Sequence, residues 1–204
     1  MNKPRNKLNG VISYFERQAE RYQEKCEGSV WRDLRRREME ACMALLEPQR
    51  EDFILDAGCG AGFYSRVLLM RGVGRVWAAD ASPAMAAQAE KSGVEKALVG
   101  DLSDMRFGTV FDKILSAGML EFVDSPKNAI ANLARHLKQG GRLVLLVPRQ
   151  CLVGYLYYAF HKLHKLDIHL YEESEIEQLC CTAGMRLIQK QRVGFTVAMR
   201  FEKF

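Results

Sequence analysis

The chemistry-bearing residues concentrate first in ILDAGCGAGFYS, residues 54–65. There an apolar run ends in Asp56, and Gly58, Gly60 and Gly62 lead into a helical pattern. Glycines take positive φ and let backbone pass close to a ligand, and a turn into a helix aims the free amides of its N-terminus at that ligand. A dinucleotide turn reads G-x-G-x-x-G. Here the residue three after Gly60 is Phe63, and Asp56 puts a carboxylate where a pyrophosphate would approach. A carboxylate suits a cation or an ammonium group better. Asp80, in VWAADAS, ends a second apolar run 20 residues after Gly60, where an acid can accept both hydroxyls of a ribose. Asp101, in LVGDL, ends a third, with Leu102 as an apolar wall beside it; it suits an exocyclic amine of a base. Each aspartate alone would also serve as a cap or turn former, but three at successive strand ends beside a glycine turn point to one site.

The elements that position them follow from periodicity. Leu8, Val11, Ile12, Phe15, Ala19, Tyr22 and Cys26 have helical spacing, and a second helix is expected over about Val30–Leu46, closed by Pro48. Residues 1–48 therefore form a helical arm, and 49–204 the main domain. In the latter, strands are expected at Phe53–Ala57, Arg75–Ala79, Ala97–Val99, Phe111–Leu115 and Arg142–Val147, with helices near Phe63–Met70, Pro83–Ser92 and Pro126–Leu137. Strand–helix alternation means a parallel sheet covered by helices on both faces. A helix near Glu173–Ala183 and two strands, Arg186–Val193 and Phe195–Phe201, end the chain as an antiparallel pair. Residues 148–171 interrupt the alternation after a parallel strand, at the edge where open α/β sheets place ligands. Leu152, Tyr155, Leu156, Ala159, Leu163 and Leu166 mark a helical apolar face within them.

With those residues in place, the chain resembles the class I S-adenosylmethionine-dependent methyltransferases from about Phe53 to Phe201. The resemblance lies in LDAGCGAG, DASPAM (80–85), GDL (100–102), FDKILSAGMLEFV (111–123) and LKQGGRLVLLVP (137–148). It implies a Rossmann-like seven-stranded sheet with an antiparallel last strand, and S-adenosylmethionine as methyl donor with S-adenosylhomocysteine as product. By position it places Asp56, Gly58 and Gly60 along the methionine and ribose portion and Asp80 on the ribose hydroxyls. Ala81 and Met85 would lie near the adenine, Asp101 and Leu102 against it, and Ser116 beside the methionine part. The arm is similar to the N-terminal segment of quinone-biosynthesis C-methyltransferases, which implies that Tyr22 closes over the cofactor; a tyrosine at helical spacing also serves plain packing.

Methyl transfer from a sulfonium needs positioning, desolvation and removal of the nucleophile's proton. Glu121, His161 and His164 are the candidate bases; Glu121 also suits a substrate cation or a helix start. The 3- and 5-residue spacings of His161, His164 and His169 lack a supporting carboxylate pair or Cys motif, so no metal is expected. SAGMLEFV stands where amino-methyltransferases of nucleic acids carry an Asp/Asn-Pro-Pro-aromatic motif, which argues against a nucleic-acid substrate and for a small molecule. The aromatic 148–171 segment is expected to act as a lid over an apolar or aromatic acceptor, with Arg149, Lys162 and Lys165 favouring an acidic group on it or a peripheral membrane surface. A nicotinamide-dependent oxidoreductase, or a non-catalytic cofactor-binding protein, is the alternative.

Composition sets the outer bounds. At 204 residues, 48% hydrophobic, with 16 Gly and 5 Pro, the chain is neither disordered nor collagen-like. No apolar run approaches a membrane span, and MNKPRNKLNG lacks the apolar core of a signal peptide, so a cytoplasmic protein is expected. Six cysteines without CxxC spacing fit free thiols, with one of Cys180 and Cys181 packed and the other exposed. The net charge of +5 is uneven: an acidic 51–134 section lies between basic flanks.

Overall fold

The computed structural model describes residues 8–17 and 29–204. Residues 8–17 are helical (α1), and α2 runs Ser29–Leu46. Then follow β1 (Phe53–Ala57), α3 (Phe63–Met70), β2 (Arg75–Asp80), α4 (Pro83–Glu90), β3 (Lys96–Val99), β4 (Phe111–Ala117), a 3-10 turn (Leu120–Phe122), α5 (Pro126–Arg135) and β5 (Leu137–Pro148). The last elements are α6 (Leu152–Leu163), α7 (Glu173–Thr182), β6 (Met185–Val193) and β7 (Thr196–Lys203).

The seven strands form one sheet in the order β3-β2-β1-β4-β5-β7-β6. β1 to β5 pair in parallel, and β7 runs antiparallel between β5 and β6. The Rossmann-like seven-stranded sheet with an antiparallel last strand is therefore present. Central strands are buried on both faces because alternate residues enter different cores. In β1, Phe53, Leu55 and Ala57 join a cluster with Ile130 and Leu133 of α5 and Ile176 of α7. Ile54 joins the opposite cluster with Leu45 and Leu46 of α2 and Leu68 of α3. Apolar residues on both faces of one strand are what a parallel sheet covered on both sides requires.

The largest boundary difference lies between α5 and β5. α5 stops at Arg135 rather than Leu137, and β5 begins at Leu137 rather than Arg142. The chain bends through Gly140 at φ 69°, and the ladder with β4 absorbs the bend as a register shift between Phe111 and Lys113. The glycine pair thus lies inside a strand, as a bulge does. The helix of the expected arm nearest the sheet, α2, puts Ala41, Cys42, Met43, Leu45 and Leu46 into the core, so it packs as part of the main body. Cys180 is buried and Cys181 exposed, and Cys42, Cys59 and Cys151 are also free thiols; Cys26 lies outside the described residues. No helix among the described residues is long and apolar enough to cross a membrane.

Candidate functional site: two joined cavities at the strand ends

The C-terminal ends of β1, β2 and β3 converge on one cleft, as the parallel topology dictates. It encloses about 860 Å³, open at its mouth, and is lined by Gly58, Gly60, Asp80, Ala81, Met85, Asp101 and Leu102, with Leu8, Val11 and Phe15 of α1 on the outer side. Seven residues singled out from the sequence thus share one wall.

Asp80 is held from two sides: its Oδ2 accepts the Gly60 amide at 2.9 Å and its Oδ1 the Ser82 amide at 2.9 Å. Burial raises its pKa above the usual carboxylate value, while these amides pull the other way. Ser82 also caps α4, accepting the Met85 amide. Asp101 Oδ1 accepts the Ser103 amide at 2.8 Å, and Asn132 Nδ2 donates to the carbonyls of Leu102 (3.1 Å) and Met105 (2.8 Å). A side chain from α5 thereby sets the loop that carries Asp101 and Leu102. Gly58 adopts φ 76°, and a Cβ there would collide with the Met119 side chain.

Asp56 is placed otherwise than expected. It is buried and absent from the cleft wall; its Oδ2 accepts the Ser65 hydroxyl at 2.6 Å. Burial pushes its pKa up to about 6 against the pull of the Ser65 hydroxyl and amide. Asp56 therefore ties β1 to the first turn of α3 and shapes the glycine turn from behind. Ser116 is likewise buried behind the wall, which Ala117, Gly118 and Met119 form instead. β4 alternates its side chains, so the residue after Ser116 faces the cleft. Tyr22 lies outside the described residues.

A second, wider space of about 2090 Å³ adjoins the first, and the two share Phe15, Arg35, Tyr64, Ala117, Gly118 and Phe122. Its walls include Tyr157, Phe160 and Phe195, and its titratable groups Glu38, Glu121, His161 and His164. Glu121 is 2% exposed and its Oε2 has no hydrogen-bond partner among the described residues; the same holds for His161 Nδ1 at 7% exposure. Burial raises Glu121 to about 8, with Glu38 adding to the rise, and lowers His161 to about 4. His161 is thus neutral at pH 7, packed edge-on against Phe122 and Tyr157. Burial also raises Glu38. Its Oε1 lies 2.9 Å from Thr196 Oγ1, which also lies 2.9 Å from Val193 O. His164 Nδ1 lies 2.8 Å from Phe160 O, and His169 pairs with Glu175 at 3.4 Å. No three His, Cys, Asp or Glu side chains among the described residues converge as a metal-ligand set.

The 148–171 segment covers this second space, but α6 is turned differently from the expected face. Leu152 is 80% and Leu163 83% exposed, with Tyr155 also outward, whereas Leu156 lines the rim of the cavity. The inward stripe is Gly154, Tyr157, Tyr158 and His161, because Gly154 closes onto the Arg149 carbonyl where any Cβ would collide. Leu166 is buried with Ile168, Leu170, Val11 and Phe122. Arg149 donates to the Gly194 carbonyl and Lys162 pairs with Asp167. Neither these two nor Lys165 lines the cavity, so the basic residues expected to receive an acidic group do not face it.

The comparisons agree with this geometry. Residues 55–145 match the family described as "Methyltransferase domain". A malonyl-[acyl-carrier protein] O-methyltransferase of Enterobacter lignolyticus is 33% identical over 135 residues, 65% of this chain and 51% of that protein. A mitochondrial ubiquinone biosynthesis O-methyltransferase of Schizosaccharomyces pombe is 32% identical over 111 residues, 50% of this chain and 40% of that one. The chain spans about half the length of the curated relatives it matches. The crystal structure of magnesium protoporphyrin IX methyltransferase from Synechocystis PCC 6803 with bound S-adenosylhomocysteine has the same fold, with a TM-score of 0.77 at 16% identity over 97% of this chain and 100% of that one. The match over residues 55–145 spans the glycine turn and the acid ending β2, and the sheet that carries them has the fold of the solved methyltransferase.

Proposed function

We propose that the chain transfers the methyl group of S-adenosylmethionine to a small apolar or aromatic acceptor held in the wider cavity. The observation that carries this reading is the junction at Ala117, Gly118 and Phe122, which line both spaces. A donor in the cleft and an acceptor in the cavity then meet with no third element between them.

The donor set fits a cationic nucleoside. Asp80, held by Gly60 and Ser82, keeps lone pairs for two ribose hydroxyls. Ala81, Met85 and Leu102 offer an apolar slot for the base, and Asp101 accepts its exocyclic amine. Gly58 and Gly60 bring backbone close to the remainder, with Asp56 and Ser116 supporting from the second row. When bound, the sulfonium supplies an already activated methyl, so the chain's own task is to position the acceptor, keep water out and take a proton. α1, through Leu8, Val11 and Phe15, covers the cleft as the described part of the arm. The 148–171 segment covers the acceptor as a lid. We place the activity in the cytoplasm, on a small molecule rather than a nucleic acid, without a metal.

Calorimetry with S-adenosylhomocysteine and with NAD tests this. Binding of the former, weakened by Asp80→Ala, together with labelled-methyl transfer into a small-molecule fraction of cell extract, is expected. Binding of NAD alone would overturn it in favour of an oxidoreductase, and donor binding with no methylated product would favour a non-catalytic binding protein.

A further inference from the structure

We infer that the acceptor is a small amine with an apolar or aromatic body, and that Glu121 takes the proton from its nitrogen. The inference rests on the methyltransferase reading above and names the substrate class of the same site.

Position comes first. Glu121 sits on the 3-10 turn just past β4, and its Oε1 lies 3.8 Å from where a Cβ on Gly118 would stand. Gly118 lines both cavities, so the carboxyl stands at their junction, where the methyl must pass. The turn is anchored: the Tyr171 hydroxyl donates to Leu120 O at 2.9 Å and the His169 amide to Glu121 O at 3.0 Å. Glu121 Oε2 is buried without a partner, which costs about 1–3 kcal/mol unless something satisfies it. A ligand nitrogen supplies that donor.

Charge then selects the ligand. The cavity holds two carboxyl groups, Glu121 and Glu38, and each ionised acid would repel an anionic acceptor. Arg35 also lines the cavity but is set against Glu38, whose pKa it lowers. Glu38 of α2 and Tyr171 are the acids that act on Glu121, while Arg35, His161 and His164 also line the cavity, Arg35 as its fixed cation. Phe15, Phe122 and Tyr157 present aromatic surface, which attracts an ammonium and not a carboxylate.

The proton chemistry matches. Amines of the lysine and α-amino types titrate between about 8 and 10, close to the value of about 8 for Glu121, so a proton passes readily between them. The bound ammonium gives one proton to the Glu121 carboxylate, which leaves a neutral nitrogen with a free lone pair. That pair forms the new N–C bond as the methyl C–S bond breaks and its electrons stay on sulfur. The positive charge moves from the sulfonium to the methylated nitrogen, the sulfur product is the neutral thioether, and Glu121 returns its proton to solvent.

The test uses 2-phenylethylamine, 3-phenylpropionate and 4-ethylphenol as probes, at pH 8 with S-adenosylhomocysteine bound. The amine should bind at least roughly tenfold more tightly than the other two. Calorimetry in buffers of different ionisation enthalpy should show proton release on amine binding, and Glu121→Gln should abolish that release. With S-adenosylmethionine, methyl transfer to the amine should fall on the order of 10²–10⁴-fold in that variant, while S-adenosylhomocysteine binding persists. Should Glu121→Gln fail to fold, the wild-type probe series and its proton release still decide. Tighter binding of the carboxylate or phenol, or no binding of the amine while S-adenosylhomocysteine is bound, overturns the inference and leaves the methyltransferase reading standing; loss of S-adenosylhomocysteine binding in the wild type overturns both.

Discussion

The Gly60 amide donates to Asp80 Oδ2 at 2.9 Å, which joins the turn after β1 to the acid that ends β2. The bond spans 20 residues of sequence, and both of its residues line the cleft. It fixes the carboxylate before any ligand arrives, so binding need not order that side chain, and the ordering cost is already met by the fold.

Replacing Asp80 separates its two tasks. Asp80→Asn keeps the shape but removes the charge and one acceptor. A hydrogen bond to a charged group contributes about 1.5–3 kcal/mol, so S-adenosylhomocysteine affinity should fall roughly 10–100-fold in calorimetry. The melting temperature should fall as well, because the side-chain amide keeps one oxygen for the two backbone amides of Gly60 and Ser82, so affinity is compared at a temperature where both proteins are folded. An unchanged affinity would remove Asp80 from the ribose.

Gly58 and Gly72 make a matched pair. Both have positive φ, 76° and 85°, but a Cβ on Gly58 collides with Met119 whereas one on Gly72 meets nothing within 4 Å. Gly72→Ala carries backbone strain alone, about 1 kcal/mol. Gly58→Ala carries the same strain plus the collision, and should lose a further 1–3 kcal/mol or so in denaturant unfolding. Met119→Gly, which removes both the Cβ and the Cγ that collide, should recover part of that excess in the Gly58→Ala background, and equal losses at Gly58 and Gly72 would refute the role of Met119.

The parallel sheet was legible because Phe53–Leu55 and Leu143–Val147 are continuous apolar runs that alternate with helical stretches, and burial on both faces explains that. The cleft followed, since Gly58, Gly60, Asp80 and Asp101 lie at strand ends that topology must bring together. Asp56 was misplaced because sequence shows that a carboxylate follows Leu55, not which side of the strand it takes; its partner Ser65 was visible nine residues later but carried no distinguishing pattern. The face of α6 was misread for a related reason. Leu152, Tyr155, Leu156 and Leu163 satisfy helical spacing, yet the helix is oriented by the absence of a side chain at Gly154, which a count of apolar residues overlooks. Glu38 escaped notice altogether: one acid in an Arg-rich helix reads as surface, and only the packing of α2 beside Thr196 turns it inward.

Ser65→Ala tests the structural role given to Asp56. The variant leaves a buried carboxylate with only the Ser65 amide. Asp56 has a folded pKa of about 6, above its ordinary 3.8. Its protonation therefore favours the fold, a contribution fully present below about pH 4 and lost as pH rises through 6. Losing the hydroxyl raises that pKa further. The cost of Ser65→Ala should be about 1–3 kcal/mol at pH 7.5 and smaller at pH 5, read from urea midpoints. A cost independent of pH would mean that Ser65 serves packing alone.

Glu121 has the same sign and a higher window. Its folded pKa of about 8 exceeds its ordinary 4.5, so the folded state binds a proton that the unfolded chain has released between those values. Stability therefore falls as pH rises from about 4.5 through 8. Asp56 contributes a slope in the lower part of that range, so the wild-type curve by itself does not isolate Glu121; the difference between wild type and Glu121→Gln does. That difference should be flat below pH 4.5 and then move steadily in favour of the variant. By pH 8.5 Glu121→Gln should be the more stable protein by at least about 1 kcal/mol. Asp56 is unchanged in both proteins and cancels. Parallel curves for the two proteins from pH 5 to 8.5 would show that Glu121 titrates as an ordinary exposed acid, and the proton-taking role assigned to it would fall with that result.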